Sequence, residues 1–176
     1  MEKFDTQIPK IIHYCWFGGK NLPKSAINFI ASWRKYFPDY EIKRWDESNF
    51  DINSVHFTAE TYRRGKYAFV SDYARFKILY EEGGIYFDTD VEVIKPFKDI
   101  LSQGPFMGCE HVYNPDGLPE DLGVATGLGI AAPPNHPFIK EVLDYYSGLK
   151  YNDEKRSGKP TRNCKNKKYV QKKSDK

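Results

Sequence analysis

The chain has 176 residues, of which 40% are hydrophobic and 16% aromatic, enough for the core of one domain or of the front part of a larger one. No run approaches the eighteen or so apolar residues of a membrane span, and the first ten residues lack the apolar stretch of a signal peptide, so a soluble or at most peripheral protein is expected. Cys15, Cys109 and Cys164 are odd in number, widely spaced and without CxxC pairing, which excludes a disulfide scaffold and predicts reduced thiols in the cytoplasm.

The net charge of +3 is unevenly spread. Residues 150–176 hold 11 Lys/Arg against 3 Asp/Glu, a net of +8, which leaves the first 149 residues at −5. The expected organisation is therefore a folded unit over 1–149 and a basic tail over 150–176. The tail has too few apolar positions for a core and reads as disordered or as the remnant of a truncation, with an arm for an anionic partner as a further reading. Its only aromatics are Tyr151 and Tyr169, so no specific nucleic-acid partner is expected. Peripheral contact with the inner face of a membrane fits the charge better.

In chain order, Ile8 to Gly19 is a nearly continuous apolar run closed by two glycines, the pattern of a buried parallel strand and a loop. Trp16 lies at its carboxyl end, where ligands of open α/β sheets gather. From pattern alone the plainer reading is a core aromatic. Pro23 to Phe37 predicts a helix and Tyr40 to Trp45 a second strand. A polar loop over 46–53 precedes a short helix over 54–64.

Tyr67 to Glu82 predicts a long helix with a buried stripe of Phe69, Tyr73, Phe76 and Tyr80. Gly83-Gly84 stops it. Ile85 to Asp90 then predicts a strand, extended by Val91 to Ile94 until Pro96. Pro105 to Cys109 reads as a short strand, Val112 to Gly123 as a surface loop, Val124 to Ala132 as a core strand and Phe138 to Leu149 as an amphipathic helix. Alternating strands and helices give an α/β class, and no internal repeat is visible.

The chemistry gathers around Gly83-Gly84. From Ser71 to Glu82 a helix climbs roughly 17 Å, and a strand from Ile85 to Asp90 returns about as far. Antiparallel packing would bring Asp88 and Asp90 level with Asp72 and Arg75, which share one helix face. Paired carboxylates at a strand end suit a hard divalent cation such as Mg²⁺ or Mn²⁺ that leaves positions for water and substrate phosphates. Arg75 would supply a charged hydrogen bond to a sugar or phosphate oxygen, and Asp72 would hold a sugar hydroxyl. The plainer reading of Asp72 and Arg75 is an ion pair that stabilises the helix, but that leaves two further carboxylates aimed at the same end unexplained. Phosphatases of the haloacid-dehalogenase type also carry Asp-x-Asp, usually with Thr or Val two residues on; here that place is Glu92, and the pair lies mid-chain.

The stretch SDYARFKILYEEGGIYFDTDVEVIKPF, together with IPKIIHYCWFGG, resembles the DXD-containing glycosyltransferases of the sugar-binding-region type, among them Och1-like mannosyltransferases, capsular polysaccharide transferases and, more distantly, clostridial glucosylating toxins. The resemblance spans roughly residues 7–148. It implies a GT-A type fold, a Rossmann-like mixed sheet flanked by helices, with a nucleotide-diphosphate sugar as donor and Mn²⁺ or Mg²⁺ as cofactor. It also implies transfer to a glycan or lipid-linked glycan acceptor with retention of configuration, in capsular or cell-surface polysaccharide synthesis. By the same resemblance Asp90 is the metal ligand, and Asp88 contacts the ribose or sugar and the metal shell. Asp72 and Arg75 hold the donor sugar and its leaving oxygen, Trp16 stacks on the nucleobase, and Tyr86 lies near the donor. Relatives continue beyond this point, and Thr126-Gly127 stands where many place Asn-Gly against the acceptor. The alternative expectation is therefore a truncated, catalytically incomplete protein that binds the donor.

Overall fold

The computed structural model describes residues 7–113, 119–151 and 167–168. A five-stranded sheet forms its middle. The strands are β1 (Ile11–Cys15), β2 (Glu41–Trp45), β3 (Gly84–Tyr86), β5 (Phe106–Met107) and β8 (Ile130–Ala132), in the order β2-β1-β3-β8-β5. β1 runs parallel to both β2 and β3, whereas β8 is antiparallel to β3 and to β5. The sheet is thus mixed, with β3 at its centre and the apolar β1 run beside it.

Side chains alternate across this sheet with the period of two that a pleat imposes. Ile12, Tyr14, Ile85, Phe87 and Ala131 pack with Ile30 and Trp33 of α1 (Lys24–Tyr36). Cys15, Trp45, Tyr86, Ile130 and Ala132 pack on the opposite side with α3 (Tyr67–Glu82) and Ile139 of α5 (Pro137–Ser147). The helix α2 (His56–Arg63) lies outside α3. With helices on both faces, α3 is buried on more than one stripe: Val70, Ala74, Ile78 and Leu79 are buried along with Tyr73 and Phe76, while Phe69 and Tyr80 are only partly covered.

Two polar features fix β1 in this core. Gly83 and Gly84 have φ of 64° and 102° and turn the chain from α3 straight into β3. A Cβ at Gly84 would lie 2.6 Å from the Ile11 carbonyl oxygen, so only glycine lets the strands close here. His13 is fully buried beside this turn. Its Nδ1 accepts from Trp45 Nε1 at 3.0 Å, which makes Nε2 the protonated nitrogen that donates to the Gly83 carbonyl at 2.9 Å. The neutral imidazole ties β1 to β2 and to the α3–β3 turn.

Several elements differ from expectation. The predicted strand over 85–90 is shorter. Phe87 N still donates to His13 O, but Asp88 N turns to Gly127 O and Val91 N closes back on Asp88 O, so Asp88–Asp90 form a turn. The extension over 91–94 is a two-residue strand, β4 (Val91–Glu92), paired with β9 (Lys167–Lys168) in a sheet of its own. Residues 112–123, read as a surface loop, instead belong largely to a hairpin of β6 (Cys109–Tyr113) and β7 (Pro119–Val124), in which backbone pairing makes up for a polar sequence. Of the core strand expected over 124–132 only β8 remains, because Leu128 N bonds back to Ala125 O in a turn. A four-residue helix, α4 (Lys98–Leu101), was not foreseen. The packed body runs as far as Tyr151, whose ring meets Phe57 and Phe69. The rest of the expected basic tail, β9 excepted, lies outside the described residues.

Burial pushes the His13 pKa down from 6.5 to about 4, the Gly83 bond opposing it. The unfolded chain therefore takes up the proton first as pH falls. This group adds nothing to the pH dependence above about 6.5 and removes stability progressively between 6.5 and 4, by about 3 kcal/mol in all. Denaturant titrations across that range should show this slope in the wild type, and a His13→Gln variant should lose about one proton's worth of it.

Candidate active site

One cavity of about 470 Å³ opens at the carboxyl ends of β1 and β3. Its first wall is the chain that leaves β1, with Cys15, Trp16, Phe17 and Lys20. The second is the amino-terminal half of α3, with Tyr67, Ala68, Ser71, Asp72 and Arg75. Asp88, Thr89 and Asp90 form the third. The α3 residues recur every three or four positions, as one face of a helix requires. The parallel pairing of Ile12 with Ile85 and His13 with Tyr86 sets the end of β1 beside the turn that follows β3.

Arg75 joins these walls. It is only 5% exposed. Its Nε donates to the Ser71 carbonyl at 3.2 Å and its Nη1 to Thr126 Oγ1 at 2.9 Å. Its Nη2 donates to Asp72 Oδ1 at 2.9 Å and to Asp88 Oδ1 at 3.3 Å. The guanidinium also lies over the Tyr86 ring, 5.1 Å from its centre. Burial opposes its charge, but the Asp88 and Asp72 carboxylates outweigh that and raise the pKa further. Arg75 is a permanent cation with most of its donors committed to the protein.

The floor beneath it is un-ionised. Burial raises the Tyr86 phenol well above its ordinary value, so Tyr86 stays protonated and donates to Asp88 Oδ1 at 3.1 Å. Burial likewise pushes the Cys15 thiol up to about 12. Asp88 Oδ1 thus receives both the phenol and the guanidinium. Across from it, a Cβ at Gly127 would overlap the Asp88 carboxylate, and the Gly127 carbonyl accepts from Asp88 N at 2.9 Å.

The structure therefore brings Asp72, Arg75 and Asp88 into direct hydrogen-bonded contact and places Asp90 and Trp16 on the same cavity. Tyr86 lies under the cavity and bears on it through Asp88, Arg75 and Cys15. Trp16 is partly exposed, and its Nε1 donates to the Lys20 carbonyl at 2.6 Å. Thr126, at the place where many relatives carry Asn-Gly, accepts from Arg75. Ser71 and Tyr67 were legible as members of the Asp72/Arg75 helix face. No local pattern marks Lys20, and the contact of Thr126 with Arg75 arises through the fold.

No group of three or more His, Cys, Asp or Glu side chains arranged to hold a metal ion occurs among the described residues. Asp88 and Asp90 offer two carboxylates and no nitrogen or thiolate ligand, since Cys15 keeps its proton. That donor set suits Mg²⁺ or Mn²⁺, with substrate oxygens and water completing the shell.

Comparison with known proteins shows what these features are similar to. The family description "glycosyltransferase sugar-binding region containing DXD motif" matches residues 23–107. Inositol phosphoceramide mannosyltransferase 1 of Schizosaccharomyces pombe is 29% identical over 150 residues, covering 78% of this chain and 42% of that protein. An uncharacterized glycosyltransferase of Acanthamoeba polyphaga mimivirus is 31% identical over 144 residues, covering 78% of this chain and 53% of that protein. The chain thus spans about half, or less, of the length of these relatives. Among solved structures, the PaToxG glycosyltransferase superposes with a TM-score of 0.55 at 24% identity over 78% of this chain and 59% of its own, which supports the GT-A type of fold. Residues 23–107 run from α1 to β5 and carry Asp72, Arg75, Asp88 and Asp90, so the stretch that is similar to glycosyltransferase sugar-binding regions containing a DXD motif is the one that builds this cavity.

Proposed function

We propose that the cavity binds a nucleotide-diphosphate sugar together with Mn²⁺ or Mg²⁺ and that the protein transfers the sugar to a glycan or lipid-linked glycan acceptor. The observation that carries this reading is the contact of Arg75 with both Asp72 and Asp88 on a cavity that Asp90 and Trp16 also line. In this reading Trp16 offers its indole face to the nucleobase, and Asp90 and Asp88 face the diphosphate and its cation. A divalent cation, when bound, neutralises diphosphate charge and makes it a better leaving group.

The chain's own groups do the rest. Asp72, the more exposed carboxylate of the Arg75 pair, accepts a sugar hydroxyl. Arg75 sets a fixed positive charge where negative charge develops as the bond between the anomeric carbon and the diphosphate oxygen breaks. Tyr86 acts through Asp88, orienting its carboxylate. Retention of configuration by a front-face route is favoured over a covalent intermediate. Asp72 and Asp88 are both charge-paired with Arg75, which blunts them as nucleophiles, and the Cys15 thiol keeps its proton.

A capsular or other cell-surface glycan is the acceptor class we favour. The net charge of +8 on residues 150–176 suits peripheral attachment to an anionic surface at the cytoplasmic side, and no helix among the described residues is long and apolar enough to cross a membrane. Because the chain spans about half the length of its relatives, donor binding and transfer are tested separately. A donor-binding protein without transfer is the second reading.

Calorimetric titration of UDP and GDP sugars, with Mn²⁺ and then with chelator, should show binding of one donor that requires the metal. Asp90→Asn should abolish the metal-dependent part with the fold intact, and unchanged binding would remove Asp90 from the metal site. Thr126→Val takes away the Arg75 acceptor and should lower donor hydrolysis or transfer about tenfold, with a stability loss of about 1–3 kcal/mol. Thr126→Ser should restore both. Equal rates in the Val and Ser variants would show that the hydroxyl does not serve Arg75.

A further inference from the structure

The loop that carries Trp16 is held from outside the cavity. After Phe17 the chain turns through Gly18 and Gly19, with φ of 96° and 67°. This brings Lys20 back so that its carbonyl accepts from the Trp16 indole. Gly18 lies flat on Tyr67, where a Cβ would overlap the ring, and Tyr67 is itself a wall of the cavity. Few apolar contacts stabilise such a turn, so its shape depends on its hydrogen bonds.

One carboxylate oxygen supplies the decisive one. Glu47, in the connection between β2 and α2, accepts from the Gly18 backbone N–H at 2.5 Å and from the Tyr62 hydroxyl at 3.0 Å through the same Oε1. The Tyr62 ring in turn packs on Tyr67, 5.3 Å between centres. The glycine turn is thereby tied through Glu47 to α2 and through the two tyrosines to α3. Burial works against the Glu47 charge, but the Gly18 N–H and the Tyr62 hydroxyl prevail and hold its carboxyl below the usual range, so the clasp is ionised at neutral pH.

We infer that Glu47 is a positioning residue for the nucleoside end of the donor: by fastening the Gly18-Gly19 turn to Tyr62 it fixes the indole of Trp16 in its base-stacking position. The inference rests on the donor-site reading above. Glu47 does not line the cavity, so it acts through Trp16 and not on the reacting atoms. A loop shaped before the ligand arrives spares the ordering that binding would otherwise require, and the gain appears as affinity for the base-bearing part of the donor.

The test uses the full chain with UDP and GDP as probes, titrated in the presence of Mn²⁺. Glu47→Ala should weaken nucleoside diphosphate binding about tenfold. Glu47→Gln, which keeps a neutral acceptor for Gly18, should stay within about threefold of the wild type. With the sugar donor, the loss in Glu47→Ala should fall on KM, with kcat within twofold. In a Trp16→Ala background the further loss from Glu47→Ala should vanish, a coupling that a merely structural glutamate would not show. Binding by folded Glu47→Ala equal to wild type, or losses in the two variants that simply add, would overturn the inference. Wild-type protein that binds neither nucleotide would overturn the donor-site reading itself and the inference with it.

Discussion

A buried guanidinium is the constraint on which this molecule's site depends. An isolated charge in the interior is so unfavourable that it persists only when paired and hydrogen-bonded on most sides. Arg75 meets that condition by drawing on three separate pieces of chain: Ser71 and Asp72 from its own helix, Asp88 from the turn after β3, and Thr126 from the turn before β8. If any of these pieces shifts, the cation loses partners in a medium that does not replace them with water. The same requirement holds the two carboxylates in one place, so the shape of the cavity follows from the fold's need to satisfy one charge.

That arrangement needs β1 and β3 in a fixed register, and a second polar knot supplies it. Neutral His13 bridges Trp45 on β2 and the Gly83 carbonyl at the end of α3, and Gly84 closes against the Ile11 carbonyl where no side chain fits. A slip of one residue would move His13 to the α1 face and Ile12 into its place. It would also separate Trp16 from Asp88. The two knots lie on the same side of the sheet, one at each end of the short strand β3, and between them they hold α3 against the sheet over its length.

Much of this was readable from the chain and some was not, for identifiable reasons. The apolar run at β1, the Gly83-Gly84 stop and the periodicity of α3 depend on local pattern, so the central unit could be anticipated together with the meeting of Asp72, Arg75 and Asp88. The strand predicted up to Asp90 stops at Tyr86 because Asp88 bonds across to Gly127, 39 residues on, and no local propensity reports such a partner. The hairpin of β6 and β7 is held by backbone pairing between strands whose sequence lacks apolar alternation, and such pairing leaves no local pattern. Thr126 was visible as a polar residue in a small apolar stretch, but its contact with Arg75 spans 51 positions and arises from the fold alone.

The turn at Asp88–Asp90 also sharpens what the spacing of two accomplishes. On a continuing strand the two carboxylates would be equivalent neighbours on one face. In the turn they differ. Asp88 has its Oδ1 fixed by Tyr86 and Arg75 and its backbone by Gly127, whereas Asp90, half-buried like Asp88, lines the cavity from the other end of the turn. One carboxylate is thus oriented by the protein before any ligand arrives, and its negative charge is already balanced by Arg75. On the reading proposed above, the diphosphate and its cation then meet a surface whose charges need little rearrangement. A single Asp-x-Asp triplet gains that division of labour from the buried arginine behind it.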